Sequence, residues 1–182
     1  MINIIVKPAR SFSAAVAALA LTGLIAPHAV AADAKSSSAV RISAQAKSET
    51  RAIAAKAPSA VNFAANLCGA DYELFTAERL PDAARRFGTL FTYTKAGSSG
   101  LTGACAVFDN NFGGPLYMKL KLCPNSTDAK LYKTDEGTFS QYAGPVRVTG
   151  ANARILCSKV TAIMKYEGGT TINRVTYAAP CN

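Results

Sequence analysis

From Cys68 onward the chain alternates short β-forming runs with turn residues every 10 to 15 positions. That rhythm implies an antiparallel sandwich or small barrel and leaves little room for helix. The cleanest run is Leu116–Cys123. Leu116, Met118, Leu120 and Leu122 fall on one face, and Tyr117, Lys119 and Lys121 on the other. This is the pattern of a half-buried strand with one wet side. Further strands are expected at Tyr72–Phe75, Leu90–Thr94, Ala104–Phe108, Lys130–Lys133, Thr138–Tyr142 and Val146–Thr149. Turns are expected at Ala96–Gly100, Asp109–Gly114, Asp135–Gly137 and Ala143–Pro145. Arg154–Tyr166 and Thr171–Tyr177 flank Gly168-Gly169, a hairpin signal. Pro81–Phe87 suits one or two helical turns, with Pro at a first helical position and Gly88 at the exit. The fold class is therefore all-β.

The start of the chain sets its compartment. Residues 1–31 read as a cleavable secretory signal, with Lys7 and Arg10 before an apolar run at Ala14–Ala26. That run holds 13 residues, fewer than the ~20 of a spanning helix. Pro27 ends it, and Ala29-Val30-Ala31 supplies the small-x-small cleavage pattern, so the mature chain is expected to begin at Ala32. No second long apolar stretch occurs downstream, and no transmembrane segment is expected after cleavage. The reading is of a secreted protein, extracellular or held at a surface.

Cleavage also removes His28, the only histidine. Without imidazole the chain lacks the usual neutral-pH general base and the commonest metal ligand. Ser-His-Asp and Cys-His catalysis and imidazole zinc sites are thereby excluded; no metal and no cofactor is expected. The 20 Lys and Arg lose Lys7 and Arg10, leaving 18 against 11 Asp and Glu, a net charge of +7. Such a balance favours anionic partners. The basic residues are scattered, with only Arg85-Arg86 adjacent, so no nucleic-acid stripe and no nucleic-acid partner is expected. The absence of Trp counts against a sugar platform built on indole rings.

Five cysteines remain, Cys68, Cys105, Cys123, Cys157 and Cys181. In an exported chain they read as two disulfides and one thiol, and spacing alone leaves fifteen arrangements open. The hairpin narrows them. With Gly168, Gly169 and Thr170 as a three-residue loop, facing positions place Cys157 opposite Cys181, within reach of a cross-strand bridge. Cys68 and Cys105 then form the second bridge and Cys123 is the free thiol.

Residues 32–66 differ in composition from the strand-rich remainder of the chain: twelve of these 35 residues are Ala and seven are charged. Their apolar residues are too sparse for a core. They read as a largely disordered or helical tether or pro-segment, with a transient helix ended near Pro58. Residues 67–182 then form the disulfide-stapled β domain.

Cys68-Gly69-Ala70-Asp71-Tyr72, Gly88-Thr89-Leu90-Phe91 and Tyr142-Ala143-Gly144-Pro145-Val146 resemble motifs that occur in the same order, at similar spacing, in the spore-associated protein A family. From Cys68 to the C-terminus the chain resembles this small secreted family of spore-forming filamentous bacteria, including cysteines corresponding to Cys105, Cys157 and Cys181. The resemblance implies an exported protein of the spore or cell surface without established catalysis. The chain departs from the family pattern in having no Trp after Cys157, an additional Cys123, and the Ala-rich segment before Cys68.

Other motifs read as ordinary structure. Asp109–Gly114 lacks the carboxylate twelve positions in that a calcium loop needs, since Leu120 stands there. Asp71, Glu73, Asp135 and Glu136 read as solvated surface rather than a glycosidase pair. Three function classes remain. The first is a non-catalytic protein held by charge to anionic cell-envelope or spore-coat components, with Lys119 and Lys121 as contacts. The second is a secreted protease inhibitor using Leu80–Arg86, and the third a hydrolase working with carboxylates alone. The oligomeric state is left open by the sequence.

Overall fold

The computed structural model describes residues 39–181. The expected signal segment and the expected cleavage point before Ala32 lie outside the described residues. The chain runs α1 (Ser48–Lys56), α2 (Pro58–Cys68), β1 (Tyr72–Pro81), β2 (Arg86–Gly97), β3 (Gly100–Asp109) and β4 (Leu116–Cys123). After a single 3-10 turn at Ala129–Leu131 come β5 (Lys133–Phe139), β6 (Tyr142–Thr149), α3 (Asn152–Ile155), β7 (Lys159–Tyr166) and β8 (Gly169–Tyr177). The strands form two antiparallel four-stranded sheets, β1-β2-β3-β6 and β5-β4-β7-β8. The all-β sandwich class is thus observed.

The layers follow from which faces are apolar. Between the sheets lies a core of Leu90, Ala104, Ala106 and Phe108 from the first sheet against Met118, Leu120, Leu122, Val160, Ala162 and Met164 from the second. The Leu116–Cys123 strand takes its anticipated bounds, with Met118, Leu120 and Leu122 fully buried. A second core covers the other face of the first sheet, where Ile53, Val61, Ala64 and Ala65 of the two helices pack on Leu74, Phe91, Tyr93, Cys105 and Val107. Consequently β2 is buried without a break from Gly88 to Thr94.

This layer takes the helical state that the sequence left open for residues 32–66, with α1 ending just before Pro58, and packs it on the sheet where a loose tether was expected. α1 and α2 are packed, and their alanines are what permit it, because a small side chain lets a helix axis approach a sheet closely. Three ties hold the layer down. The Cys68–Cys105 disulfide joins the end of α2 to β3. The Tyr93 hydroxyl donates to the Val61 carbonyl at 2.8 Å. Arg147 of β6 donates to the Leu67 and Cys68 carbonyls, meeting the orphan acceptors at the C-terminus of α2.

Several local expectations give way, among them the Ala143–Pro145 turn, which lies inside β6. Pro81–Phe87 is no helix: β1 runs through Pro81, and the Asp82 carboxylate accepts from Ala84 and Arg85 N–H at 2.9 and 2.8 Å to close a β1–β2 hairpin. There Gly88 passes so close to the Asp109 carbonyl that a Cβ would sit 2.6 Å from it. Asp135–Gly137 is no turn but the middle of β5, since Asp135 and Glu136 find partners on neighbouring strands. Of the expected Lys130–Lys133 strand, Lys130 and Leu131 lie in the 3-10 turn and only Lys133 is strand. Finally, the β7–β8 hairpin has a two-residue loop, Glu167-Gly168, both at positive φ, with Tyr166 facing Gly169.

Both expected disulfides are present, but the hairpin register does not explain Cys157–Cys181. β7 begins only at Lys159, facing Tyr177. Cys157 instead turns at φ 59 just before the strand and donates its N–H to the Pro180 carbonyl at 2.8 Å. This brings the two Cα atoms to 4.3 Å. Cys123 is free and half-buried.

Candidate functional site

The outer face of the second sheet is assembled by alternation. In β4 every second side chain leaves the core, so Tyr117, Lys119 and Lys121 stand on this face. The ladder with β7 sets Lys165 opposite Tyr117 and Lys159 opposite Cys123. β5 contributes Glu136 opposite Lys119, and β8 contributes Tyr177 opposite Lys159. Four lysines therefore share one flat surface with a single carboxylate.

The lysines are held rather than trailing. Lys165 Nζ lies 4.7 Å from the centre of the Tyr117 ring, Lys121 Nζ 4.7 Å from that of Tyr132, and Lys159 Nζ 5.9 Å from that of Tyr177. At exposed sites such cation–π contacts are worth about 0.5–1 kcal/mol. They keep the charge while fixing where it sits. Lys119 is different, since its ammonium pairs with Glu136 at 2.8 Å and the Tyr117 hydroxyl donates to the same carboxylate. Hydrogen bonds from Lys119 and then Tyr117 hold the Glu136 carboxyl below its ordinary range. The bond to Glu136 raises the Lys119 ammonium in turn. Among the described residues, Lys121, Lys159 and Lys165 make no ion pair with a carboxylate.

Of the two lysines marked in the sequence, both stand on the wet face, Lys121 over a ring and Lys119 in an ion pair. Lys159 and Lys165 were missed. Their own alternation, Lys159-x-Thr161-x-Ile163-x-Lys165, was the available signal, but nothing local says that β7 lies beside β4. Cys123 closes the row and lines a cavity of about 420 Å3 with Tyr132, Cys157 and Lys159.

The other candidates are dispersed. Asp71 pairs with Lys95 at 3.3 Å and Glu73 with Arg41 at 3.3 Å, both at the start of β1. Asp135 accepts from the Gly144 N–H at 2.6 Å, away from the lysine face that Glu136 joins. In the Asp109–Gly114 turn, Asp109 accepts from Thr89 N–H and from the Asn111 amide. Burial raises the Asp109 carboxyl against these bonds. Asn110 donates to the Gly114 and Phe139 carbonyls at 2.8 and 2.9 Å. These groups are spent on closing turns, and no cluster of three or more metal-ligating side chains occurs among the described residues. The Leu80–Arg86 hairpin lies within the Cys68–Cys105 loop, but no cysteine stands close to it on either side.

No family model, no curated protein and no solved structure matches this chain. The resemblance to the spore-associated protein A family rests on its short motifs alone.

Proposed function

We propose that this is an exported, non-catalytic protein of the cell or spore surface, held by charge to an anionic polymer of the envelope through the outer face of the second sheet. The observation that carries this reading is the gathering of Lys119, Lys121, Lys159 and Lys165 on one face of the second sheet, where Glu136 is paired with Lys119 alone. Lysine ammonium and tyrosine hydroxyl groups both donate hydrogen bonds, which suits phosphate or carboxylate oxygens spaced along a chain. The two disulfides suit an oxidising compartment. No helix among the described residues is long and apolar enough to cross a membrane.

A single exposed ion pair contributes about 0.2–1 kcal/mol and is screened over roughly 8–10 Å at ordinary salt. Attachment on this face is therefore multivalent and salt-labile. Washing an envelope fraction with molar salt should release the protein while covalently bound wall proteins stay. Retention through that wash, with release only by detergent or wall digestion, would contradict the reading.

A further inference from the structure

The edges of a sheet expose unpaired N–H and C=O groups, and most folds guard them. Three of the four edges here are guarded. β1 is covered by a short parallel bridge, in which Ser43 N–H donates to the Leu74 carbonyl and Leu74 N–H to the Arg41 carbonyl, both at 2.9 Å. The Thr50 hydroxyl accepts from Ala77 N–H further along the same edge. β5 and β6 lie against each other and are joined by the Asp135–Gly144 bond. β8 is the exception. It pairs with β7 on one side only; β1 touches it through Glu78–Arg174, and Gln45 and Lys47 face Thr176 and Tyr177 across a cavity, but among the described residues no backbone hydrogen bond reaches its other side.

Which groups point outward follows from one bond. Ala178 donates its N–H to the Ser158 carbonyl at 2.7 Å, toward the β7 side. Alternation then aims the N–H and C=O of Tyr177, Val175 and Asn173 away from the sheet. The usual deterrents are missing. Gly169–Tyr177 contains no Pro and no Lys, and its one charged residue, Arg174, is paired with Glu78 at 2.8 Å. Val175 is 56% and Tyr177 45% exposed, two of the four large exposed apolar side chains among the described residues.

We propose that β8 is a homodimer interface, on which a second copy lays its own β8 antiparallel and joins the two second sheets into one of eight strands. The outward groups select the register. A two-fold axis at Arg174 would set two guanidinium groups face to face. An axis at Val175 sets Val175 against itself, Asn173 against Tyr177, and Arg174 against Thr176 of the second copy. The regular part of the strand favours the same choice, because the β7–β8 ladder is disrupted between Met164 and Lys165. The lysines of the outer face do not oppose it. The nearest face lysines, Lys159 and Lys165, lie on β7. With strands about 4.8 Å apart, the two β7 strands would be three steps or ~14 Å apart, beyond the screening length of roughly 8–10 Å.

The test is sedimentation velocity of the purified full-length mature protein carrying Cys123→Ser, over a wide concentration range and without any polyanion. It is thus independent of the charge-attachment reading. The expected result is a mass rising toward twice that of the monomer, with Val175→Lys weakening association at least tenfold at an unchanged melting temperature. As a second readout, Val175→Cys in the same background should crosslink copies spontaneously. A hydrogen-bonded pair has Cα atoms ~5.5 Å apart, inside disulfide range. Asn173→Cys should not crosslink, its own counterpart lying about four residues away along the strand. A monomer at every concentration would overturn the proposal, as would unimpaired dimers of Val175→Lys or crosslinking through Asn173→Cys instead of Val175→Cys.

Discussion

Glu136 organises the chemistry of the lysine face at the scale of single residues. It accepts from Lys119 and Tyr117 together, so its proton leaves more easily than from a solvated glutamate. A depressed carboxyl contributes stability that is present above its unfolded pKa and is lost as pH falls through the folded one. An NMR titration of the Glu136 carboxyl should therefore give a midpoint below the reference of 4.5, and Lys119→Gln should move it upward. An unshifted midpoint in both proteins would show that the pair does not persist in solution. Removing the carboxylate with Glu136→Gln should strengthen binding to an acidic polymer by about 1.4- to 5-fold, the worth of one exposed pair. Weaker binding would mean that Glu136 touches the ligand itself. Lys119 and Lys121 were legible because a strand's alternation is a local signal. Lys159 and Lys165 were not, because their placement depends on β7 pairing with a strand more than thirty residues earlier.

The two N-terminal helices are the element on which the sequence reading and the fold part company. Their small alanines make a weak apolar stripe, and a weak stripe reads as a tether. The complementary signal lay in β2, where Leu90-Phe91-Thr92-Tyr93-Thr94 places large groups on both faces, so something besides the second sheet had to cover them. Leu74, Phe91, Tyr93 and Val107 are all at most 1% exposed beneath the helices. At about 1.5–3 kcal/mol per buried side chain, uncovering the four would cost roughly 6–12 kcal/mol, comparable with the whole stability of a domain. A chain truncated to residues 67–182 should aggregate or lose its cooperative melt, whereas a tether would be dispensable. The same layer depends on its staple. Opening the Cys68–Cys105 loop of 37 residues with Cys105→Ala should cost about 4 kcal/mol in the loop-entropy account. Hydrogen exchange should then show α2 losing protection before β4 and β7; simultaneous loss would mean that the helices do not detach separately. The second bridge carries a different lesson. Cys157–Cys181 was expected from a hairpin register that does not occur, and a local turn at Cys157 brings the sulfurs together in its place.

At the scale of the described domain, three layers divide the labour. The helices seal the first sheet, the inter-sheet core aligns the second, and the second sheet presents its lysines and tyrosines to solvent. Fold class and the number of disulfides were legible because strand rhythm and cysteine count act over the whole chain. The lysine face was half legible because it is made by two strands distant in sequence. The most direct test is the salt dependence of binding of the purified protein to an acidic wall polymer, for the native chain and for Lys121→Gln/Lys159→Gln/Lys165→Gln. At low salt the triple change should weaken binding by about 3- to 150-fold, the sum of three exposed pairs. It should also flatten the fall of affinity with rising salt, at an unchanged melting temperature. Equal affinity and equal salt dependence for the two proteins would contradict attachment through this face.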